Sequence, residues 1–295
     1  MTELRIITPS APLHSGPTTD SSLDNEGLFG ETFQVAGTKN DGEYSITRLF
    51  SELEISSSDV IMVHGDAGVA AQLRHLDVDR RLDFLFDEMV NFIGDEGTLV
   101  VPAFSHSFTK NVDFDVLGTP SDVGLFSEWF RCLPASKRSR NPNFSVSSFG
   151  KHADQFANAS ATDCFGPDTA FDLLYKHNAK LVCLGCDFSR ITFVHYVEQM
   201  LGVCYRYLKS FSGVVIDGDD RQEITNTYYV RDLSFDSRGE LSRVKKLSSE
   251  KNLLREAKYG RFSVTSISAE DFFSTAEELL DEDPYALTQY GLDVN

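Results

Sequence analysis

Apolar and polar positions along this chain switch between two periods, and the switches mark its elements. Asp59-Val-Ile-Met-Val-His64 is a short apolar run rich in β-branched residues, which predicts a buried strand, with a turn at Gly65-Asp66-Ala67-Gly68. Thr98–Phe104, broken by Pro102, and Lys180–Leu184 read the same way. Asn143–Phe149 and Phe262–Ile267 are further strand-like stretches. Between them the period lengthens. Asp79–Ile93 places Leu82, Phe84, Leu85, Met89, Val90 and Phe92 at amphipathic helix spacing, and Gly94 and Gly97 stop it. Helices are also predicted at Ser45–Leu53, Ser121–Leu133, Asp168–Tyr175, from His195 to about Leu201, at Leu241–Ala257 and at Ala269–Leu280. Phe211–Ile216 and Glu223–Val230 predict a hairpin about Asp217-Gly218-Asp219-Asp220. Ser105–Pro120 reads as a long loop and Pro284–Asn295 as a tail. Strands alternate with helices, so the predicted class is α/β with one hairpin. Residues 1–43, rich in Ser, Thr, Gly, Pro and Asp, are read as an irregular arm, and 44–295 as a single domain.

Composition narrows the picture. The 295 residues are 41% hydrophobic, enough for a sizeable core. The 45 acidic residues outnumber the 27 basic ones, for a net charge of −18. That balance argues against nucleic-acid binding, which needs a basic footprint, and favours a cationic ligand by steering. A plainer alternative is that the acidity serves solubility. No apolar run reaches the length of a membrane helix, and the N-terminus lacks the pattern of a signal peptide, so a cytoplasmic enzyme is the expectation. Five cysteines argue against a disulfide framework. Cys183-Leu-Gly-Cys186 has redox spacing but reads better as small buried side chains at a strand end, and no cluster offers a zinc ligand set.

The candidate chemistry lies in Thr192-Phe-Val-His195-Tyr-Val-Glu198. Residues three apart share a helix face, so Glu198 can fix the tautomer of His195 and steady its charge. That pairing suits a general base acting near neutral pH. His-x-x-Glu pairs also occur on many solvated helices.

Four blocks, in order and at matching spacing, show that the chain resembles the aminoglycoside 3-N-acetyltransferase family. They are Val63-His64; Gly97–Ser105; Thr119–Gly124 with Lys137–Gly150; and Phe165–Tyr175 with Leu184–Glu198. The likeness spans roughly 45–205, with an echo at Gly260–Phe273. It implies the antibiotic N-acetyltransferase fold, a central mixed β-sheet flanked by helices, and not the GNAT fold. It also implies acetyl-CoA as co-substrate, no metal, and direct attack of an acceptor amine on the thioester. His195 would be the base and Glu198 its partner, with Thr192 and backbone N–H groups at the helix start steadying the oxyanion. For the cofactor it points to His64, Gly65, Asp66, Ala67, Pro102, Ala103, Phe104 and Ser105 at the strand ends, with Arg138, Ser139 and Ser145. The candidates for the acceptor are Asp66, His106, Asn141 and Asp168. Plainer roles stand beside these: a capping carboxylate at Asp66, an exposed loop residue at His106, a solvated basic turn at Arg138, a solvated loop acid at Asp168.

The chain departs from the family pattern at Gly65-Asp66-Ala67, Ala103, Asn141-Pro142 and Thr169-Ala170. The acceptor is therefore expected to be an amino sugar: these departures favour a nucleotide-linked sugar of surface polysaccharide synthesis over an aminoglycoside, and the acidity points the other way. A non-catalytic CoA- or sugar-binding relative is the alternative, and a homodimer is left open.

Overall fold

The computed structural model describes residues 44–294; the arm expected over 1–43 lies outside them. A seven-stranded mixed sheet carries the fold. In chain order the described residues form α1 (Ile46–Glu52), β1 (Val60–Gly65), α2 (Gly68–Ala71), α3 (Arg81–Ile93), β2 (Thr98–Pro102), β3 (Phe114–Asp115) and α4 (Leu125–Arg131). There follow β4 (Lys137–Arg138), β5 (Val146–Gly150), α5 (Ala153–Ala157), α6 (Ala170–Lys176), β6 (Lys180–Leu184) and α7 (Val194–Leu201). The hairpin β7 (Arg206–Asp217) and β8 (Asp220–Arg231) precedes α8 (Ser242–Glu250), β9 (Arg255–Tyr259), β10 (Phe262–Ser268), α9 (Ala269–Glu282) and α10 (Gln289–Val294).

The sheet order is β4-β5-β2-β1-β6-β10-β9. β1 runs parallel to β2 and β6, while β5, β10 and the edge strands pair antiparallel. The apolar runs predicted as buried strands are these three parallel neighbours, covered on both faces as such strands must be. Alternate side chains feed two cores. Val60, Met62, Val100, Leu181 and Cys183 join one, against Phe171, Phe193 and Phe272. Ile61, Val63, Leu99, Val101, Val182 and Leu184 join the other, against Leu49, Phe50, Leu85 and Met89. The hairpin and β3 make a small second sheet over Phe108, Phe114 and Val215. Residues 44–294 fall in one compact unit. No helix among them is long and apolar enough to cross a membrane.

Several boundaries differ from the sequence reading for local reasons. The helix expected from Ser121 starts at Leu125, because Gly124 has φ +109° and Ser121 N–H is held by Glu128 Oε2 at 2.7 Å. The helix expected over Leu241–Ala257 stops at Glu250, where Asn252 takes φ +55°. Arg255–Tyr259 is instead an edge strand, pairing Glu256 with Thr265. The strand expected from Asn143 begins at Val146, and the hairpin is longer than predicted at both ends. The expected tail includes α10. The helix expected from Asp168 starts two residues later, at Ala170, with Thr169 as N-cap accepting from Asp172 N at 3.4 Å.

Candidate active site

The carboxyl ends of β1, β2 and β6 lie side by side, and in open α/β sheets that edge is where ligands bind. α7 begins after the turn that follows β6. Its buried residues Val194, Tyr196 and Val197 fix one face on the core, and Tyr196 Oη donates to Asp172 Oδ1 on α6 at 3.0 Å. His195, on the other side of the first turn, keeps 22% of its side chain exposed.

His195 Nδ1 lies 2.7 Å from Glu198 Oε2. The carboxylate is buried, at 1% exposure, and its Oε2 also lies 2.8 Å from Arg206 Nε at the start of β7. Arg206 in turn donates from Nη1 to Tyr229 O at 3.1 Å. Burial pushes the Glu198 carboxyl upward, but the Arg206 charge and the His195 hydrogen bond outweigh it and hold it below its ordinary 4.5. An ionised carboxylate only accepts, so Nδ1 carries the imidazole proton and Nε2 keeps its lone pair. Burial lowers the His195 pKa below 6.5; the Arg206 charge adds to this and Glu198 opposes it. The ring is therefore neutral at neutral pH, with Nε2 as a basic nitrogen.

Aromatic rings surround it. Phe165 lies 5.3 Å from the His195 ring centroid and Phe144 6.4 Å. Tyr228 packs on Phe144 at 4.9 Å. His106 stands edge-on to Phe144 at 5.0 Å, and its Nδ1 is 3.4 Å from Asp122 Oδ2. It holds φ +52°, uncommon for a non-glycine residue. His106 is thus brought near His195, with Phe144 touching both.

His64 and Thr192 are also brought together, as a latch. The Thr192 N–H donates to His64 Nε2 at 3.3 Å. Burial lowers His64 to about 4, so it stays neutral. The Thr192 hydroxyl donates to Arg190 O at 3.3 Å. At the start of α7 the Val194 and His195 N–H groups are spent on Ile191 O and Thr192 O. Phe193 N–H has no hydrogen-bond partner among the described residues. Of the oxyanion donors expected there, only that one is uncommitted.

In the turn after β1, Asp66 Oδ1 accepts from Gly68 N at 2.6 Å, which is the capping role. Gly65 admits the Phe126 ring: a Cβ there would come within 2.5 Å of it. The neighbouring Ala67 N–H is unpartnered among the described residues.

Other predicted residues face inward. Pro102 ends β2, Ala103 N donates to Ser145 O at 2.8 Å, and Phe104 is buried against Phe144. Ser105 Oγ donates to Pro142 O at 3.0 Å. Arg138 is buried, donating to Ser145 Oγ and to the carbonyls of Val116, Thr119 and Ala103, with Phe114 beneath it at 4.8 Å. Burial, with the Arg131 charge, lowers it to about 10. These contacts occupy the guanidinium inside the protein rather than presenting it to a phosphate. Ser139 Oγ accepts from Val146 N at 3.0 Å, and Ser145 Oγ donates to Ala103 O at 2.7 Å. Asn141 shapes its turn: Oδ1 accepts from Asn143 N and Phe144 N, and Nδ2 donates to Asp163 O at 2.8 Å. Asp168 is exposed, 3.2 Å from Lys176, and lines a surface hollow with Asp154, Gln155 and Asn158, not the surroundings of His195.

Arg206 was missed from sequence. Its one signal is a lone cation between Tyr205 and Tyr207 in an otherwise apolar stretch. Phe165 and Tyr228 were missed too, since aromatic residues in this Phe-rich chain read as core.

Residues 69–281 match the family described as aminoglycoside 3-N-acetyltransferase. Among curated proteins, the chain is 29% identical over 102 residues to the SPbeta prophage-derived aminoglycoside N(3')-acetyltransferase-like protein YokD of Bacillus subtilis strain 168. That match spans 34% of this chain and only 35% of the relative. The crystal structure of YokD from Bacillus subtilis is similar with a TM-score of 0.67 at 19% identity, covering 82% of this chain and 94% of that one. AAC-IIIb in its binary structure with CoASH gives 0.68 at 18%, covering 81% and 96%. The apoenzyme of aminoglycoside acetyltransferase AAC(3)-IVa gives 0.65 at 21%, covering 83% and 90%. At these identities the structural likeness carries the fold, which agrees with the mixed α/β sheet expected from the resemblance. With the family's sequence pattern running through most of its length, the chain belongs to the aminoglycoside 3-N-acetyltransferase family.

Proposed function

We propose that this protein is an acetyl-CoA-dependent N-acetyltransferase whose acceptor is the amino group of a cationic amino sugar, with His195 as general base. The observation that carries the reading is the His195–Glu198 pair, 2.7 Å apart, which leaves Nε2 as the basic ring nitrogen beside the carboxyl ends of the parallel strands. Bound acetyl-CoA would supply an activated acetyl group and a thiolate leaving group. His195 Nε2 takes the proton that the acceptor nitrogen sheds on attack, and the imidazolium can return it to the departing sulfur. Glu198 keeps the ring oriented and steadies its transient charge. Ala67 N–H and the turn Gly65–Gly68 would meet the cofactor arm, with Pro102–Ser105 as the adjacent strand end. His106 and the Phe144 ring would border the acceptor.

The acceptor class follows from charge. A net charge of −18 favours a cationic acceptor by steering. Among the structural neighbours, AAC-VIa is bound to sisomicin. The test is acceptor-dependent thiol release from acetyl-CoA, with an aminoglycoside such as kanamycin in one arm and a UDP-amino sugar in the other. Turnover with the aminoglycoside supports the reading. Turnover with the nucleotide sugar alone overturns the acceptor assignment. Release without any acceptor would mark a hydrolase, and no turnover in any arm would favour a non-catalytic relative.

A further inference from the structure

We propose that Arg206 is a positioning residue for acetyl transfer, clamping the Glu198 carboxylate against His195 Nδ1 so that Nε2 remains the free ring nitrogen. The inference rests on His195 being the base. Its ground is a shared atom: Glu198 Oε2 lies 2.7 Å from His195 Nδ1 and 2.8 Å from Arg206 Nε. The Arg206 and Glu198 side chains are 3% and 1% exposed, so neither charge is screened by water. Arg206 is itself fixed by Tyr229 O on β8.

A carboxylate so deeply buried does not stay ionised without a cation. Without Arg206, Glu198 has two ways to shed the cost, and both disable the base. It can take a proton and donate it to Nδ1, which moves the imidazole proton to Nε2. Alternatively it can hold His195 as an imidazolium, which has no free lone pair. The other groups facing this cluster do not replace the cation. Tyr205, just before β7, and Tyr228 and Tyr229 from β8 are neutral phenols, each held from ionising chiefly by burial. His106, lowered by burial, is neutral at neutral pH, and when protonated it acts on His195 in the same direction as Arg206.

The test compares wild type, Arg206→Met, Arg206→Lys and His195→Ala in the full chain, by steady-state kinetics from pH 5 to 9, with thermal melts to establish folding. Arg206→Met is expected to lower kcat about a hundredfold with little change in KM for acetyl-CoA. The acidic limb of kcat/KM is expected to move up by about one pH unit or more, and Arg206→Lys to recover part of both. A folded Arg206→Met with wild-type kcat and an unmoved limb overturns the proposal. If Arg206→Met does not fold, Arg206→Gln, which also lacks the charge, takes its place: a displaced limb supports the proposal and an unmoved one overturns it. His195→Ala separates the two levels. An inactive His195→Ala beside a normal Arg206→Met sinks only the clamp, whereas an active His195→Ala sinks the base and the clamp with it.

Discussion

Lowering the pH should destabilise this protein through His64. The side chain sits at the end of β1, 6% exposed, with Nε2 taken up by the Thr192 N–H. Burial holds its folded-state pKa at about 4 against an ordinary 6.5. Between those values the unfolded chain binds a proton that the folded protein refuses, so stability rises with pH across that window. The contribution is complete above about pH 6.5 and is lost as the pH falls through about 4. The whole gap is worth about 3 kcal/mol, of which about 2 kcal/mol disappears between pH 8 and pH 5. Urea unfolding of wild type and His64→Gln across that range isolates the effect, because the titrating carboxylates are common to both. The glutamine amide oxygen can still accept from Thr192. Its stability deficit against wild type should shrink by about 2 kcal/mol at the acid end. Parallel stability curves for the two proteins would show that His64 is not buried neutral.

Three further outcomes follow from the same contacts. The rate of acetyl transfer should be full at neutral pH and fall only below 6.5, because His195 must be neutral to act and burial lowers its pKa; an acidic limb of kcat/KM above 6.5 contradicts this. Gly65→Ala brings a methyl group within 2.5 Å of Phe126 Cδ1, and thermal or urea unfolding should show a loss of about 1–3 kcal/mol. Thr169→Ala removes the acceptor for Asp172 N and the donor to Gly166 O, and should cost about 1 kcal/mol by urea unfolding with no change in sheet content by circular dichroism.

What could be seen in the sequence depended on how local its physical cause was. β1, β2 and β6 were legible because strands buried on both faces need unbroken apolar runs. α3 was legible because one apolar face repeats over 13 residues. β9 was not. Arg255-Glu-Ala-Lys pairs on one side only, at the sheet edge, so its charged composition reads as a solvated helix. His195 and Glu198 were legible because both belong to one helical turn. Arg206 was hidden, because its approach to Glu198 depends on Gly202 reversing the chain at φ +64° and on the register of β7 with β8. Arg138 misled for the opposite reason. Its neighbours Lys137 and Arg140 suggest a basic surface turn, yet the backbone of β4 turns its side chain into the interior.

The central claim is most directly met by replacing the imidazole. Thiol release from acetyl-CoA in the presence of an aminoglycoside should fall at least about a hundredfold in His195→Ala, provided the variant still melts cooperatively. Equal turnover by the folded variant and the wild type would contradict it.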